Sequence, residues 1–348
     1  MHTLCEIRGK PGVNERPKYC TTFAQNNTGV PQFLLTRSVA STACRGAARM
    51  SALGDLSDDQ QRSVFGHLCN TLEPGIAVNF GSASRGLRAS TQAQQQQLRA
   101  DYDVVTALCH KTGMRCCKEL REAREVCWAD KGLCEADLTT LSSLGSVLPA
   151  LKALTLSESA AAPDSVQRLM DGLRAGALPA LWLVAICDMN MDDSSASALA
   201  GALDRGALPR LTDLNLSNNN IGDAGLVALA PVLRRRPALE ALGLTANPIS
   251  DEGLAALVAP PQPAAGLSLP AGGLNKLYLL NLRDTAITDT GCASLASALN
   301  SGGLPAVNRL DLAGIPASFA ARAAVRDALA TRASEVDLPI HLLNLTCS

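Results

Sequence analysis

The chain has 348 residues, which is long enough for one elongated domain and a smaller second one. Apolar residues make up 47% of it and aromatic residues only 3%, so the core must be built from Leu, Ala, Val and Ile. The net charge is −1, from 31 basic and 32 acidic residues, so the chain has no excess of positive charge with which to bind nucleic acid or an anionic membrane. Neither is therefore expected as a partner.

The apolar runs and the cysteines bear on where the protein is found. The longest apolar run, from Leu178 to Cys187, is about half as long as a bilayer requires, so no membrane span is predicted. The 12 cysteines are scattered, and no secretory apolar segment accompanies them. We expect free, buried thiols and a cytoplasmic or nuclear location.

Residues 1–50 have a composition of their own. They contain seven Lys or Arg and two acidic residues, with no acid after Glu15. This pattern is typical of an organellar transit peptide. It is equally typical of a disordered tail, or of a start codon placed too far upstream with Met50 as the true beginning. We assign no fold to this segment.

Residues 51–120 carry the signals of a small helical domain. The segment has an opening Leu followed by acidic residues, a Val-Phe-x-x-Leu core, a Pro break, an apolar stretch and a closing Ser-Arg-x-x-Arg. This order resembles an F-box, although Ser57 stands where that family usually has Pro and Leu87 where it usually has Trp. The positions that carry the resemblance are Leu56, Val64, Phe65, Leu68 and Pro74.

The F-box resemblance implies a substrate receptor of a cullin-type ubiquitin ligase. Leu56, Val64, Phe65, Leu68 and Pro74 would then dock the ligase adaptor, and the repeats that follow would select the substrate. The alternative is a helical cap that covers the first apolar face of those repeats, as terminal repeats require.

One pattern recurs seven times between residues 121 and 316. In its fullest form it is Leu-x-x-Leu-x-Leu-x-x-Asn-x-Ile-x-Asp-x-Gly followed by leucines at helical spacing, and the first and last copies are degenerate. The copies begin at Ala123, Leu151, Leu181, Leu211, Leu239, Leu277 and Val307. One longer interval contains an insertion, Pro260 to Gly273, whose Pro, Ala and Gly predict a surface loop.

Each copy predicts one strand and one helix. Alternating leucines, such as Leu214 and Leu216, point one way from a short strand, and the residues between them point the other way. The leucines that follow bury one stripe of a helix against the strands. Stacking these units predicts a curved α/β solenoid with parallel strands inside and helices outside.

Two polar positions of the pattern have expected structural roles. The turn residues Asn219 and Asn247 are expected to satisfy backbone groups where a strand ends, so that stacked copies form a polar ladder. Asp223, Asp251 and Asp289 stand where a helix begins. We expect these aspartates to act as N-caps there, because Asp is a strong N-cap and suits the helix dipole.

The pattern resembles the leucine-rich repeat of the ribonuclease-inhibitor type over about residues 123–316. That resemblance implies a horseshoe whose concave, strand-lined face binds a partner protein. Only two copies keep the turn Asn, so the ladder is expected to be incomplete, with the first and last copies as caps. The implied function is a non-enzymatic interaction scaffold.

The concave face is predicted from the residues that flank the second and third leucines of each copy. It combines acidic positions with a small apolar track through Leu183 and Ala185, and its arginines suit an acidic group of the partner. The alternative is that these are simply solvated strand positions. The expected partner contacts are Glu158, Asp188, Asp213, Asn215, Asn281, Arg283, Arg309 and Asp311.

No catalytic, metal or cofactor site is predicted. Cys109-His110, Cys116-Cys117, Cys127 and Cys134 match no zinc-knuckle spacing. The sequence has only four histidines and no Gly-x-Ser-x-Gly around a candidate serine, so it does not predict a catalytic triad. We therefore expect no enzymatic activity.

A third functional interpretation comes from the same repeat type. Ran GTPase-activating proteins resemble this solenoid in repeat length and in the helix-start Asp, and they act by rigid contact with a small GTPase. They usually carry an acidic tail. Residues 317–348, which we expect to form a C-terminal helix and tail, are not acidic.

Overall fold

The protein is described by a computed structural model over residues 56–162, 164–259 and 273–333. These residues belong to one compact unit, Gly54–Ser348. The predictions for residues 1–50, for the loop at 260–272 and for the tail after 333 lie outside the described residues. Across the described part, every helix is too short or too polar to cross a membrane.

Seven short strands form one parallel sheet in chain order. Each strand pairs with the next in the same register, so that Leu154, Val184 and Leu214 are side by side. Since every repeat adds one strand at the same position, the predicted α/β solenoid is confirmed. The strands are β1 (Glu125–Ala129), β2 (Ala153–Ser157), β3 (Leu183–Cys187), β4 (Asp213–Asn215), β5 (Ala241–Gly243), β6 (Leu279–Asn281) and β7 (Arg309–Asp311).

A helix follows each strand and returns the chain to the next one, and consecutive helices of the repeats pack side by side. Pro179, Pro209 and Pro305 follow the ends of three of these helices, because proline cannot continue a helix. The helices are α1 (Asp58–Leu68), α2 (Gly75–Ser82), α3 (Arg85–Lys111), α4 (Cys117–Glu122), α5 (Glu135–Ser143), α6 (Asp164–Gly172), α7 (Asp193–Asp204), α8 (Asp223–Arg234), α9 (Asp251–Val258), α10 (Asp289–Asn300) and α11 (Phe319–Ala333).

Leucine side chains from strands and helices meet between the two layers. In one repeat, Leu214 and Leu216 on the strand side and Leu226 and Leu229 of α8 are all buried. Equivalent residues of the other repeats belong to the same continuous core. Burial of one such side chain contributes about 1.5–3 kcal/mol, so each repeat is held mainly by its neighbours.

The helices before the repeats are joined to the solenoid through one long helix, α3. At the middle of this helix, Leu98 packs with Phe65 of α1 and Ala77 of α2 in a small separate core. Near its C-terminal end, Val105 and Leu108 belong to the core of the solenoid. The same helix therefore carries α1 and α2 and packs against the first repeat.

Asn219 ties the ends of two neighbouring strands together. Its Nδ2 donates to the carbonyl of Ile186 in the preceding repeat (2.7 Å) and to that of Leu216 in its own repeat (3.0 Å). Its Oδ1 accepts the amide hydrogen of Met191 (3.0 Å). Asn247 makes the equivalent bonds one repeat later and is buried. These two side chains form the polar ladder.

The aspartates at the helix starts have a different role from the one expected. Asp223, Asp251 and Asp289 each occupy the first helical position, and the residue before each of them is the N-cap. The prediction that these aspartates are N-caps is therefore wrong. Their carboxylates lie instead against the start of the helix in the following repeat.

The Asp223 carboxylate holds the start of α9, one repeat further on. It accepts hydrogen bonds from the Ser250 amide (2.8 Å), the Ser250 hydroxyl (2.5 Å) and the Gly253 amide (3.0 Å). Asp193 and Asp251 bond in the same way to the starts of α8 and α10. We call this series of contacts the aspartate clamp. It satisfies amides that a helix N-terminus leaves without partners.

The glycine of each Asp-x-Gly makes room for the clamp. A Cβ atom at Gly253 would lie 2.6 Å from Oδ1 of Asp223, and one at Gly225 would lie 2.6 Å from Oδ1 of Asp193. Within an ordinary helix, alanine is better than glycine by about 1 kcal/mol. The Asp of one copy and the Gly of the next are thus a matched pair, which explains why the motif stays in phase.

Replacing Gly253 by alanine should destabilise the protein by about 1–3 kcal/mol, because the new methyl group must displace the Asp223 carboxylate. Gly201→Ala in α7 is the matched control, since a Cβ there would meet only the flexible end of Arg205, 3.3 Å away. The control should be neutral or stabilising. Chemical denaturation measures both variants, and equal effects would show that the clamp does not constrain residue 253.

Asp223 should also make stability depend on pH. Burial acts to raise the pKa of Asp223, but the hydrogen bonds from Ser250 and Gly253 outweigh it and hold the pKa below its ordinary value of 3.8. The stabilisation is therefore fully present above that value and is lost as the pH falls through the folded-state pKa.

Asp223→Asn should consequently cost about 1.5–3 kcal/mol at neutral pH and much less at about pH 2. Urea titrations at both pH values measure this cost. Glu252→Gln is the control, because it removes a carboxylate from the same helix turn without touching the clamp. A cost for Asp223→Asn that does not change with pH would contradict the linkage.

Candidate functional site: the concave face of the sheet

The residues between the buried leucines form the concave face of the sheet. Because side chains alternate along a strand, β4 buries Leu214 and turns Asp213 and Asn215 to the opposite side. The register places equivalent residues next to each other across the sheet. One row is Ala153, Leu183, Asp213, Ala241, Leu279 and Arg309, and the next is Thr155, Ala185, Asn215, Gly243, Asn281 and Asp311.

An apolar patch occupies this face at β3. It consists of Leu183, Ala185 and Cys187, with Ala153 and Trp182 packed against them. All five residues of β3 are buried, so this strand has apolar side chains on both sides of the sheet. The patch extends the apolar track predicted from Leu183 and Ala185 by including the aromatic ring of Trp182.

Several predicted contact residues bond to their own backbone where the strands end. Oδ1 of Asn215 accepts the Ser217 amide (3.1 Å), and Asn281 and Asp311 each accept the amide two residues further on (3.1 and 2.9 Å). Gly243 lies between Asn215 and Asn281, and a Cβ atom there would be 2.6 Å from Oδ1 of Asn215. Asn215 is only 4% exposed, so it shapes the backbone of the face, contrary to the expectation that it contacts a partner. Asn281 and Asp311 are half-buried and line the face.

The Glu158 carboxylate is bonded to the backbone of the preceding repeat, contrary to the expectation that it contacts a partner. Glu158 is 5% exposed, and its carboxylate accepts the amide of Leu133 in the preceding repeat (3.0 Å). It thereby takes over, two repeats earlier, part of the ladder role that Asn219 has later in the chain. At the other end of the ladder, Thr285 donates only to the carbonyl of its own Leu282 (2.8 Å).

The open charges of the face lie at its turns and toward its C-terminal end. Asp188 is half-buried just after β3, with its Oδ2 3.5 Å from Nδ2 of Asn218. Arg283 is exposed and pairs with the adjacent Asp284 (3.1 Å). Arg309 is exposed on β7, and no salt bridge among the described residues includes it.

Asp213 is a buried carboxylate on the concave face. It is 4% exposed, and its Oδ2 accepts a hydrogen bond from the Thr212 hydroxyl (2.6 Å). Burial raises the pKa of Asp213, and the negative charge of Glu240 raises it further, while the Thr212 bond acts in the other direction. The ionised side chain is therefore less stable in this position than it is in water.

Four residues just before the strands were not predicted as part of the site. Trp182, Thr212, Glu240 and Tyr278 each follow the first leucine of a copy, and backbone hydrogen bonds connect them across the sheet. All four are half-exposed. Burial raises the pKa of Tyr278, and the charges of Asp213 and Glu240 raise it further against the opposite effect of Arg309. The sequence signal that could have pointed to this row is an aromatic residue directly after the first leucine of a copy, in a chain with only 3% aromatic residues.

The segment that resembles an F-box does not present Phe65 for docking. Phe65 is fully buried against Ala77 and Leu98, and Leu68 packs against the same small core. A contact between Phe65 and an adaptor is therefore excluded in this fold, because the side chain holds α1 to its neighbours. The other predicted docking positions, Leu56, Val64 and Pro74, are half-buried.

Cysteines and metal ligands form no site among the described residues. The described cysteines form no disulfide; among them, Cys109 and Cys117 are buried, and Cys116, Cys127 and Cys134 are exposed. Burial raises the pKa of Cys109 to about 12, and the neighbouring Cys117 contributes to that rise. Within these residues, no group of three or more His, Cys, Asp or Glu is placed to hold a metal ion.

Comparison with known proteins identifies the repeats. A family model described as a leucine-rich repeat matches residues 208–230, 237–258 and 274–296, which are the three copies that keep Asp-x-Gly. The fold is an α/β leucine-rich-repeat solenoid. Repeats of this kind favour a protein-interaction scaffold over an enzyme.

The chain was also compared with solved structures and with curated protein sequences. The solved structure of leiomodin-1 actin-binding site 2 is similar over 57% of this chain and 90% of its own, with 15% identity and a TM-score of 0.33. A search of curated protein sequences found no match. The ribonuclease-inhibitor type and the F-box therefore stay predictions from the sequence.

Asp213→Asn should make the protein more stable at neutral pH, by on the order of 1 kcal/mol, because it removes a buried charge and keeps an acceptor for Thr212. The sign follows from a raised pKa: the ionised carboxylate destabilises the fold above its folded-state pKa and has no effect below 3.8, its ordinary value. The gain should fade as the pH falls. A loss of stability at neutral pH, measured by urea unfolding, would contradict this account.

Proposed function

We propose that this protein is a non-enzymatic scaffold that binds a partner protein on the concave face of its leucine-rich-repeat sheet. The observation that carries the proposal is the combination of the apolar patch on β3 with charges that no described residue neutralises, at Asp213 and Arg309. Leu183, Ala185 and Cys187 are buried, so a partner would reach the patch through the partly exposed Trp182 and Ala153. An apolar centre with polar and charged residues around it is typical of protein-binding surfaces.

The rigid backbone of the face supports the same proposal. The aspartate clamp and the leucine core hold the strands in one register, while the concave positions vary from Leu183 to Asp213 to Ala241. A preformed face loses little conformational entropy when a partner binds, so side-chain contacts translate efficiently into affinity. A cytoplasmic or nuclear location stays the expectation from the scattered cysteines of the sequence.

The ubiquitin-ligase receptor and the GTPase activator remain predictions from the sequence. The first requires an exposed docking surface on α1, and Phe65 cannot contribute to it. No observation on the described residues favours the second over any other partner.

Two arginine substitutions on opposite sides of the solenoid test the proposal. Thr155→Arg places a charge on the concave face beside Ala185, at a half-buried side chain. Val227→Arg places the same charge on α8, outside the sheet, at a side chain that is 44% exposed. Both variants should fold like the wild type, which thermal unfolding checks.

Tagged full-length protein is then isolated from its native cells with chemical cross-linking, and the partners are identified by mass spectrometry. We expect the wild type and Val227→Arg to retain the same partner and Thr155→Arg to lose it. With purified partner, the dissociation constant should rise at least about tenfold for Thr155→Arg alone. Retention by Thr155→Arg together with loss by Val227→Arg would place binding on the outer helices and refute the proposal.

A further inference from the structure

We infer that the concave face binds an arginine side chain of its partner between Trp182 and Tyr278, over Asp213 and Glu240. This inference rests on the proposed function, because it takes the concave face as the binding surface. It adds the chemistry that is recognised: an arginine next to an apolar side chain on the same segment of the partner. We call the four residues named here the acidic-aromatic site.

The acidic-aromatic site is built on neighbouring strands. Backbone amides of Thr212, Glu240 and Tyr278 donate in turn to the carbonyls of Trp182, Thr212 and Glu240, at 2.9, 2.7 and 2.9 Å. Neighbouring strands are about 4.8 Å apart, so the two aromatic residues start about 14 Å from each other with Thr212 and Glu240 between them. The strand order therefore places Thr212 and Glu240 in the interval between the two aromatic residues.

The site holds negative charge that the protein itself leaves unneutralised. Asp213 is 4% exposed and accepts one hydrogen bond, from Thr212 to its Oδ2, and no described residue donates to its Oδ1. No salt bridge among the described residues includes Asp213 or Glu240. A buried carboxylate without a counter-ion destabilises the free protein, whereas a cation from a partner would meet an acceptor that is already desolvated.

Arginine fits the acidic-aromatic site better than lysine does. Its planar guanidinium group can stack on an aromatic ring and still direct several N–H donors at carboxylates. The lysine ammonium group is a more strongly hydrated point charge, which loses more on entering a partly buried site. Trp182 and Tyr278 are both half-exposed, so each ring has surface left for such a contact.

The apolar patch favours an apolar side chain of the partner next to the partner's arginine. Leu183 is directly opposite Asp213 in the register of β3 and β4, and Trp182 packs against the patch. A segment lying across the strands would therefore place an apolar side chain on Leu183 when its arginine reaches Asp213. Since residues of an extended segment are about 3.3 Å apart, the two side chains are one or two positions from each other.

Peptide pools test this inference with the full chain. Three immobilised pools carry arginine, lysine or citrulline at a central position, with leucine two residues earlier and mixed residues elsewhere. Citrulline has the shape of arginine without its charge. We expect half-maximal retention on the arginine pool at a protein concentration about tenfold lower than on the other two. Glu252→Gln is the control variant, because it makes the same carboxylate-to-amide change as Glu240→Gln at an exposed position of α9, away from the concave face, and should keep the preference.

Asp213→Asn and Glu240→Gln should each abolish the preference for arginine. Trp182 provides a second readout, because the other tryptophan, Trp128, is 2% exposed. Peptides eluted from the arginine pool should change the tryptophan emission of the wild type and leave that of Trp182→Phe unchanged. Equal retention on the arginine and citrulline pools, or a preference that survives in both charge variants, would overturn the inference. Equal retention on the lysine pool would overturn the choice of arginine.

Binding of the partner identified with the wild-type protein separates this inference from the proposed function. If Thr155→Arg loses the partner while Asp213→Asn and Glu240→Gln bind it as tightly as the wild type, the arginine site is wrong and the scaffold function stands. If Thr155→Arg keeps the partner while the peptide preference holds, the arginine site stands and binding of that partner on the concave face is wrong.

Discussion

A carboxylate at the start of one helix holds the start of the next helix, and the regularity of the solenoid depends on that contact. Asp193, Asp223 and Asp251 each accept hydrogen bonds from the following repeat. Helix N-termini have amides without intrahelical partners, and a charged acceptor binds them more strongly than a neutral one. Because the contact recurs from α7 to α11, the helices of the later repeats advance in step with their strands. The strands β1, β2 and β3 keep the same register through their backbone pairing and the leucine core.

The side chains of the concave face can differ from repeat to repeat because other contacts hold the backbone in place. Since the clamp and the leucine core hold the backbone, equivalent concave positions can be apolar at Leu183, acidic at Asp213 and small at Ala241. A buried carboxylate such as Asp213 costs stability on the order of 1 kcal/mol, which is less than the burial of a single core leucine contributes. The fold can therefore tolerate a site that favours binding over stability.

The two ends of the repeat array are closed by helices of different origin. At the N-terminal end, Val105 and Leu108 of α3 join the core of the solenoid, so a helix that precedes the repeats covers the first of them. Toward the C-terminal end, α11 packs against α10 and contributes the buried Val325. Closure of this kind is required because an end repeat has no neighbour to bury its apolar face.

The sequence by itself determined the repeat frame, the strand and helix of each copy and the core leucines, because periodicities of two and of 3.6 residues are local properties. Only the tertiary structure decided what Asp223 bonds to. Its carboxylate accepts hydrogen bonds from the amides of Ser250 and Gly253, which are 27 and 30 positions further along the chain. The tertiary structure also decided that Glu158 and Phe65 are buried, and that Trp182 and Glu240 share one surface. Those contacts connect separate repeats or helices, and a local pattern carries no information about which distant residues will stack beside it.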